Sequence, residues 1–422
     1  MSQSSFVFPQ GFLWGAATAA HQVEGNNLNS DLWVLEHIQP TLFAEPSLDA
    51  CDHYHRFAED IKLLAGLGLN TYRFSIEWAR IEPERGCFSM AALEHYRRVL
   101  AACHENGVAP MVTFYHFSSP RWFAAMNGWE AAAAGDLFVR YCERAARHLG
   151  GLIGYASTYN EPNLPMMLKW VSNLDIPMMT ALQMGRKAAR AVGSDRFGCF
   201  FLGNPGKLQD TMIAAHHRAL RAMKCGPGAY PVGVNIALQD EQAVGAGSKR
   251  DRKCAEAYEP WLEAANGSDF LGVQVYTRAR TGKSGDLGPE AGVELTQMGY
   301  EFWPEALEAC LRYAAARVKV PLYVTENGVA AEDDSRRIEY IRRALGGLAN
   351  CLADGLDVRG YIHWTLMDNF EWIMGYRPKF GLLTRQREVK ASARYLGEIA
   401  RRGCISIEEK AGEAAENAEK QN

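Results

Sequence analysis

The sequence predicts an α/β fold, specifically a closed (β/α)8 or TIM barrel, and three observations support this prediction. Short apolar runs alternate eight times with segments that have a 3.6-residue hydrophobic spacing, which is typical of parallel strands followed by helices. Several runs are rich in β-branched and aromatic residues, as buried strands are. No internal linker divides the chain, and a barrel of this kind can hold more than about 400 residues in one unit.

The eight predicted strands follow one another from near residue 12 to near residue 366. Each is a nearly continuous apolar run of the length expected for a strand that is buried on both faces. They are residues 12–18 (FLWGAAT), 71–76 (TYRFSI), 109–115 (APMVTFY), 154–160 (GYASTYN), 231–238 (PVGVNIAL), 270–276 (FLGVQVY), 321–327 (PLYVTEN) and 359–366 (RGYIHWTL).

Segments with helical spacing lie between most of these strands. Residues 51–67 are the first, and Gly66 and Gly68 end that helix because glycine favours helix termini. Further helices are predicted at residues 91–106, 136–149, 180–192, 305–316 and 335–352. The first loop is long, about 50 residues, and residues 163–179 show no clean period. We expect one catalytic domain over residues 1–407 and a polar tail, solvated or disordered, over residues 408–422.

Composition restricts the classes of function. Forty-five Lys and Arg residues against 49 Asp and Glu residues give a net charge of −4, which is too balanced for electrostatic capture of nucleic acid or an anionic membrane. No apolar stretch approaches the length of a membrane span, and the N-terminus lacks the pattern of a secretory signal. The ten cysteines form no C-x-x-C motif and fit reduced thiols. We therefore expect a cytoplasmic protein with a small-molecule partner.

Two carboxylates follow predicted strands, where the chemistry of a barrel is usually found. Glu161 ends the fourth run within the sequence TYNEP, and Glu326 ends the seventh within VTENG. A pair of carboxylates that face one site is the minimum equipment for cleaving a glycosidic bond, because one donates a proton while the other attacks or activates water. Taken alone, the two residues favour the commoner role of a Glu at a strand end, which is to form a salt bridge.

The eighth strand adds residues suited to a sugar. Trp364, Glu371 and Trp372 lie within the sequence HWTLMDNFEW just after this strand. Indole faces stack on the C–H faces of sugar rings, and carboxylates accept hydrogen bonds from hydroxyls. Each Trp taken alone is equally compatible with a core residue, but together with Glu371 they strengthen the interpretation of the two carboxylates as a carbohydrate site.

Five ordered motifs now make a resemblance clear. The chain resembles glycoside hydrolase family 1, the β-glucosidase family, over about residues 8–400, and least between residues 165 and 210. The motifs lie at residues 12–25 (FLWGAATAAHQVEG), 71–80 (TYRFSIEWAR), 158–162 (TYNEP), 323–328 (YVTENG) and 364–372 (WTLMDNFEW). The resemblance implies a β-glycosidase that acts on a β-glycoside or a short oligosaccharide. It indicates β-glucosidase activity foremost and leaves β-galactosidase and β-fucosidase activity open.

The resemblance also implies a retaining double displacement, with Glu326 as nucleophile and Glu161 as acid/base. Such a mechanism needs carboxyl groups about 5–5.5 Å apart. Arg73 and Tyr276 match the positions that hydrogen-bond the nucleophile, and a nearby cation and donor should lower its pKa. The charge of Glu326 should keep Glu161 protonated until a glycosyl ester forms.

Further residues are implied to bind substrate. They are Gln22 and His116 for the 3- and 4-hydroxyls, Asn160 for the 2-hydroxyl, Trp364 as stacking platform, Glu371 for the 4- and 6-hydroxyls, Trp372 beside it, Tyr300 on the aglycone side, and Phe380. No cofactor is implied, because side chains supply both nucleophile and protons. His53 and His55 are the most metal-like pair, but residues two apart on a helix face different ways, so we predict no metal.

The chain departs from the family pattern at three places. Phe117 and Ser118 stand in a motif that usually reads His-Trp-Asp, so an indole donor to the sugar is lost, at a cost of about 1 kcal/mol or more. Gln274 stands where Asn is usual, one methylene further out. Residues 165–210, which border the aglycone side, differ most, so leaving-group preference is the property that transfers least.

The sequence bears on four alternatives to β-glycosidase activity. A phospho-β-glycosidase is disfavoured because the Glu371 carboxylate would repel phosphate. A myrosinase-like member would have Gln in place of Glu161. A non-catalytic sugar-binding member usually lacks one carboxylate, whereas both are present here. A transglycosidase with the same mechanism stays open, because the sequence does not decide whether water or an acceptor reaches the intermediate.

Overall fold

The structure is a computed structural model, and it describes residues 5–171 and 178–406. The predicted polar tail at 408–422 lies outside the described residues, as does part of the segment without a clean period, residues 172–177. The assignment of residues 1–407 to one domain stays a prediction.

Eight parallel strands close into a barrel, which confirms the predicted (β/α)8 fold. Each strand pairs with the next along the chain, and pairing between the first and the eighth completes the ring. The strands are β1 (Leu13–Thr18), β2 (Thr71–Ser75), β3 (Ala109–Tyr115), β4 (Tyr155–Asn160), β5 (Val232–Ala243), β6 (Leu271–Thr281), β7 (Leu322–Asn327) and β8 (Val358–Trp364).

Strands β5 and β6 continue well past their predicted ends at residues 238 and 276. Beyond the barrel they stay paired in parallel, from Asp240 opposite Arg278 to Ala243 opposite Thr281. This extension is polar in sequence, so the apolar runs do not predict it. A short strand, Asp286–Leu287, adds to β6 in antiparallel fashion, and Ser5–Val7 pairs with Cys404–Ser406 on the outside of the barrel.

Helices surround the barrel and include all six of the predicted ones. They are α1 (Ala20–Val23), α2 (Asp31–His37), α3 (His53–Gly66), α4 (Trp78–Ile81), α5 (Met90–Glu105), α6 (Arg121–Ala125), α7 (Ala134–Leu149), α8 (Leu164–Leu168), α9 (Met178–Ala191), α10 (Pro205–Lys224), α11 (Arg250–Ala257), α12 (Glu259–Ala265), α13 (Ala306–Ala315), α14 (Asp334–Ala353) and α15 (Ala391–Arg402), with 3-10 turns at Gly128–Glu130, Gly150–Leu152 and Trp372–Met374.

Helix α10 shows why some helices were hard to predict. Its start is marked only by Asn204, whose side chain accepts a hydrogen bond from the Lys207 amide, and by Pro205 at the first helical position, both favourable there. Its buried face is lined by small and sulfur-containing residues as well as Leu, and this composition blurs the periodic signal. Packing against α7, not local pattern, stabilises this helix.

The first loop contains helices α1 and α2 before α3, and this part, residues 19–52, reaches the barrel mouth, where Gln22 hydrogen-bonds to the Phe370 carbonyl. Within the described ranges, no helix is both long and apolar enough to cross a membrane. Nor does any group of three or more His, Cys, Asp and Glu side chains there have the arrangement of a metal site; His53 pairs instead with Asp60 at 2.7 Å, and His55 with Asp52.

Candidate active site

Glu326 lies on β7 and points into the mouth of the barrel, where two side chains bind its carboxylate. Arg73 Nη1 on β2 is 2.5 Å from Glu326 Oε1, and the Tyr276 hydroxyl on β6 is 2.5 Å from Oε2. Both partners are the ones that the sequence predicted. Because each oxygen has its own donor, the carboxylate is held in one orientation.

Asn160, the last residue of β4, joins the same network. Its Oδ1 accepts from Arg73 Nη2 at 2.6 Å and from Gln274 Nε2 at 2.8 Å. Asn160 Nδ2 and Gln274 Oε1 are buried and have no hydrogen-bond partner within residues 5–171 and 178–406. Since buried polar atoms are normally paired, these two atoms are suited to a polar ligand in the barrel mouth.

Glu161 follows Asn160 in the sequence, but its carboxyl group is not part of the hydrogen-bond network around Arg73. Its backbone amide donates to the Asn235 carbonyl at 2.9 Å, and its φ of 42° lies in the left-handed region, which is uncommon for a residue other than glycine. Among the described residues no side chain forms a hydrogen bond or ion pair with this carboxyl. It is therefore available to a ligand.

The two carboxyl groups differ in acidity. Burial raises the pKa of Glu161 well above its ordinary value, and the negative charges of Glu326 and Glu371 raise it further, against Arg73. Burial also raises the pKa of Glu326, while Arg73 and the Tyr276 hydrogen bond oppose the rise. The sequence predicted a lowered pKa for Glu326, because the neighbouring cation and donor were taken into account but burial was not. Glu326 nevertheless loses its proton before Glu161 does, since only Glu326 has a cation and a phenol bound to it.

Gln22 and Glu371 form a second polar group at the mouth. Gln22 Nε2 donates to the Phe370 carbonyl at 2.8 Å, to Asn369 Oδ1 at 3.2 Å and to Glu371 Oε2 at 3.4 Å. Gln22 Oε1 is buried, and no described residue hydrogen-bonds to it. Burial and the charge of Glu326 raise the pKa of Glu371 to about 8, against hydrogen bonds from Gln22 and Trp364.

Aromatic rings enclose these polar groups. The His116 ring stacks against both Trp364 and Trp372, with centroids 5.8 Å apart in each case. Burial and the positive charge of Arg73 lower the pKa of His116 well below its usual value, so the imidazole is neutral. Its Nδ1 has no hydrogen-bond partner in the part of the chain that the structure describes. His116 thus offers an uncharged polar edge between two indoles.

The remaining predicted residues lie near this group with different exposure. Phe380 is buried and packs edge-on against Tyr276, with centroids 5.9 Å apart. Tyr300 is 40% exposed, and the limited solvation of its hydroxyl together with the charges of Glu371 and Glu161 raises its pKa to about 12. Tyr300 therefore lies at the outer rim, within electrostatic reach of both carboxyl groups.

Several neighbours of the site were not predicted. Phe117 packs against Phe200 and Phe201 with centroids 5.0 and 5.1 Å apart, and against Trp372 at 5.3 Å. Phe200 and Phe201 come from residues 165–210, the stretch that resembles the family least. Asn369 was missed as well, although it stands within the quoted last motif. Only its closeness to Glu371 in the sequence hinted at a role.

The comparisons with known proteins agree with this geometry. A family model described as "Glycosyl hydrolase family 1" matches residues 4–198 and 236–404. The chain belongs to glycosyl hydrolase family 1. It is therefore a glycoside hydrolase, and the predicted family is confirmed.

Relatives within the family align over nearly the whole chain. β-Glucosidase A of Thermotoga maritima is 29% identical, and the alignment covers 93% of this chain and 98% of that protein. A bifunctional β-D-glucosidase/β-D-fucosidase of Bifidobacterium breve is 30% identical, with 90% and 94% covered. The apo structure of a β-glucosidase designated 1317 is 50% identical, with a TM-score of 0.90 and with 93% and 99% covered.

Proposed function

We propose that this glycoside hydrolase is a retaining β-glycosidase, foremost a β-glucosidase, that releases terminal non-reducing β-D-glycosyl residues. The observation that carries the proposal is the contrast between two carboxyl groups at one barrel mouth. Glu326 is fixed and charge-compensated by Arg73 and Tyr276, whereas the Glu161 carboxyl has no partner among the described residues and has a strongly raised pKa. A charged nucleophile beside a protonated acid is what glycosidic cleavage requires.

The first step forms a covalent glycosyl-enzyme. A carboxylate oxygen of Glu326 attacks the anomeric carbon, and the bond between that carbon and the leaving oxygen breaks. Glu161 gives its proton to that oxygen, so the aglycone leaves as a neutral alcohol or phenol. Arg73 and Tyr276 orient the attacking oxygen during this step, and Tyr276 keeps its proton because burial and the charge of Glu326 raise its pKa well above the ordinary value.

The second step returns the enzyme to its starting state. Once Glu326 is an ester, its negative charge no longer raises the pKa of Glu161, and Glu161 ionises more easily. Glu161 then takes a proton from water, the hydroxide oxygen bonds to the anomeric carbon, and the ester bond to Glu326 breaks. The configuration of the sugar is the same before and after, because two displacements have occurred.

The glycone is proposed to bind to the buried polar atoms of the site that have no hydrogen-bond partner among the described residues. Asn160 Nδ2 would serve the 2-hydroxyl, Gln22 and His116 the 3- and 4-hydroxyls, and Glu371 the 4- and 6-hydroxyls, with the ring on Trp364. The unpaired Asn160, Gln22 and His116 atoms support this placement. The β-fucosidase activity in the name of the Bifidobacterium breve relative supports tolerance of β-fucosides beside β-glucosides, and β-galactosidase activity stays open.

The test is release of nitrophenol from a panel of aryl β-glycosides, with NMR of the first-formed sugar. We expect turnover of β-glucosides, a β-anomeric product and loss of turnover in Glu326→Gln. Glu241→Gln is the matched control, because Glu241 is another carboxylate with a buried side chain that pairs with Lys253 instead. An α-anomeric first product, or full activity in Glu326→Gln, contradicts the mechanism. An added alcohol that raises turnover and diverts the product identifies transfer in place of hydrolysis. The cytoplasmic location stays a prediction.

A further inference from the structure

The loop after β8, residues 369–376, carries Glu371 and Trp372 and is attached to the long first loop. Its attachment includes two direct hydrogen bonds of 2.9 Å. The Ala44 amide donates to the Ile373 carbonyl, and the Tyr376 amide donates to Glu45 Oε1. These bonds hold the outer part of the loop and do not touch Trp372.

The indole of Trp372 is supported from inside by His21. The His21 and Trp372 rings stack with centroids 6.1 Å apart and planes inclined by only 10°. The His21 and Glu36 side chains are fully buried, and His21 Nε2 lies 2.6 Å from Glu36 Oε1. Asn27 Nδ2 lies 3.1 Å from the other ring nitrogen. The imidazole plane under the indole is therefore held from both sides.

Glu36 connects this pair back to the same loop. Its Oε2 accepts hydrogen bonds from the Ser47 amide at 2.9 Å and the Ser47 hydroxyl at 2.7 Å. The Ser47 carbonyl in turn accepts from the Tyr376 hydroxyl. A closed circuit thus runs from Trp372 through His21, Glu36 and Ser47 to Tyr376, which is on the loop that carries Trp372.

We propose that His21 and Glu36 are positioning residues that set the orientation of Trp372, and through it of Glu371, toward the glycone. This proposal rests on the proposed function of the site. Neither residue contacts substrate, and both act through the loop. Trp372 has a φ of 48°, a conformation that persists only where the surroundings enforce it. His21 is the charged side chain among the rings around the indole, which also include His116 and Phe117.

The charges around His21 are consistent with an ion pair. Burial lowers the pKa of His21, but the charge and hydrogen bond of Glu36 outweigh burial, and Glu77 and Asp31 add to the rise. The pKa of Glu36 is lowered by the same pairing and by Ser47, against its burial. A buried pair with one member removed leaves an uncompensated charge, so loss of Glu36 should disturb His21 and the indole stacked on it.

The test compares Glu36→Ala with Glu36→Gln and with Asp60→Ala. Asp60 is a matched control, because it forms a buried pair with His53 at 2.7 Å on α3, away from the loop. We expect Glu36→Ala to raise KM for the aryl glycoside and the inhibition constant of D-glucose about ten- to hundredfold, since small misplacements have effects of this size. Glu36→Gln, which keeps an acceptor for Ser47, should restore most of the affinity. Asp60→Ala should lower Tm and leave KM unchanged.

A second readout does not depend on turnover. The fluorescence emission of Trp372 is obtained by subtracting, for each protein, the emission spectrum of the same protein with Trp372→Phe. We expect Glu36→Ala to change this difference spectrum and Asp60→Ala to leave it unchanged. Equal KM in Glu36→Ala and the unsubstituted protein, or an unchanged Trp372 emission, overturns the proposal. If the unsubstituted protein hydrolyses no glycoside, the proposed function fails, and the emission still decides whether the circuit positions the indole.

Discussion

Asn160 and Glu326 are held by the same guanidinium group, that of Arg73, through different terminal nitrogens. The proposed nucleophile and the proposed ligand of the sugar 2-hydroxyl therefore share one rigid fork. Because the fork is planar and bidentate, a shift of one partner is transmitted to the other. The alignment of attack and the hydrogen bond to the 2-hydroxyl are thus mechanically linked.

Loss of the Arg73 guanidinium group should abolish most of the glycosidase activity. In Arg73→Met we expect kcat/KM to fall at least about 100-fold, as when one preorganised electrostatic group is removed, because Glu326 loses its cation and Asn160 its donor. Steady-state kinetics with an aryl glycoside provide the measurement. Arg387→Met, which removes another buried Arg paired with Asp60, should lower stability and retain kcat. Equal losses in the two variants would count against the role of Arg73.

The pH profile of kcat/KM should be bell-shaped, with limbs of different origin. Activity requires ionised Glu326, so it falls as pH drops through the pKa of Glu326. Activity also requires protonated Glu161, so it falls as pH rises through the raised pKa of Glu161. With a nitrophenyl substrate that needs little acid assistance, Glu161→Gln should lose the alkaline limb. An alkaline limb that persists in Glu161→Gln would assign it to another group.

Glu371 should make the fold less stable at alkaline pH. Its folded pKa is raised to about 8, above that of an unfolded Glu, so the unfolded state releases this proton first and stability falls as pH rises between the two values. Glu371→Gln removes this dependence. We expect the variant to gain about 3.5 kcal/mol relative to the unsubstituted protein between pH 5 and pH 8, measured by urea unfolding at both pH values. An equal difference at the two values contradicts the assignment.

Gln274 should be adapted to this site and not interchangeable with Asn. Its Nε2 reaches Asn160 Oδ1 at 2.8 Å, and a side chain shorter by one methylene cannot span that gap from the same backbone. Gln274→Asn should lose one neutral hydrogen bond, about 1 kcal/mol or roughly fivefold in kcat/KM. Gln242→Asn on the β5 extension is a control that should leave kinetics unchanged. Higher activity in Gln274→Asn would show that the family pattern fits this barrel better.

The sequence predicted the barrel and the two carboxyl groups because strands buried on both faces leave an apolar signal, and their ends are easily located. All eight runs are strands in the structure. The polar extension of β5 and β6 leaves no such signal. The raised pKa of Glu326 depends on burial, which follows from the closed fold and not from neighbouring residue types. The pairing of His21 with Glu36 arises from a loop that no periodicity describes.

Three residues around the site have left-handed backbone conformations without being glycine: Phe117 at φ 67°, Glu161 at φ 42° and Trp372 at φ 48°. Each such residue costs about 1 kcal/mol or more. At these three positions the fold therefore accepts a cost in stability around the proposed site. Glycine at any of these positions would relieve the backbone strain but remove the side chain. Selection for heat resistance alone would therefore favour substitutions that reduce activity.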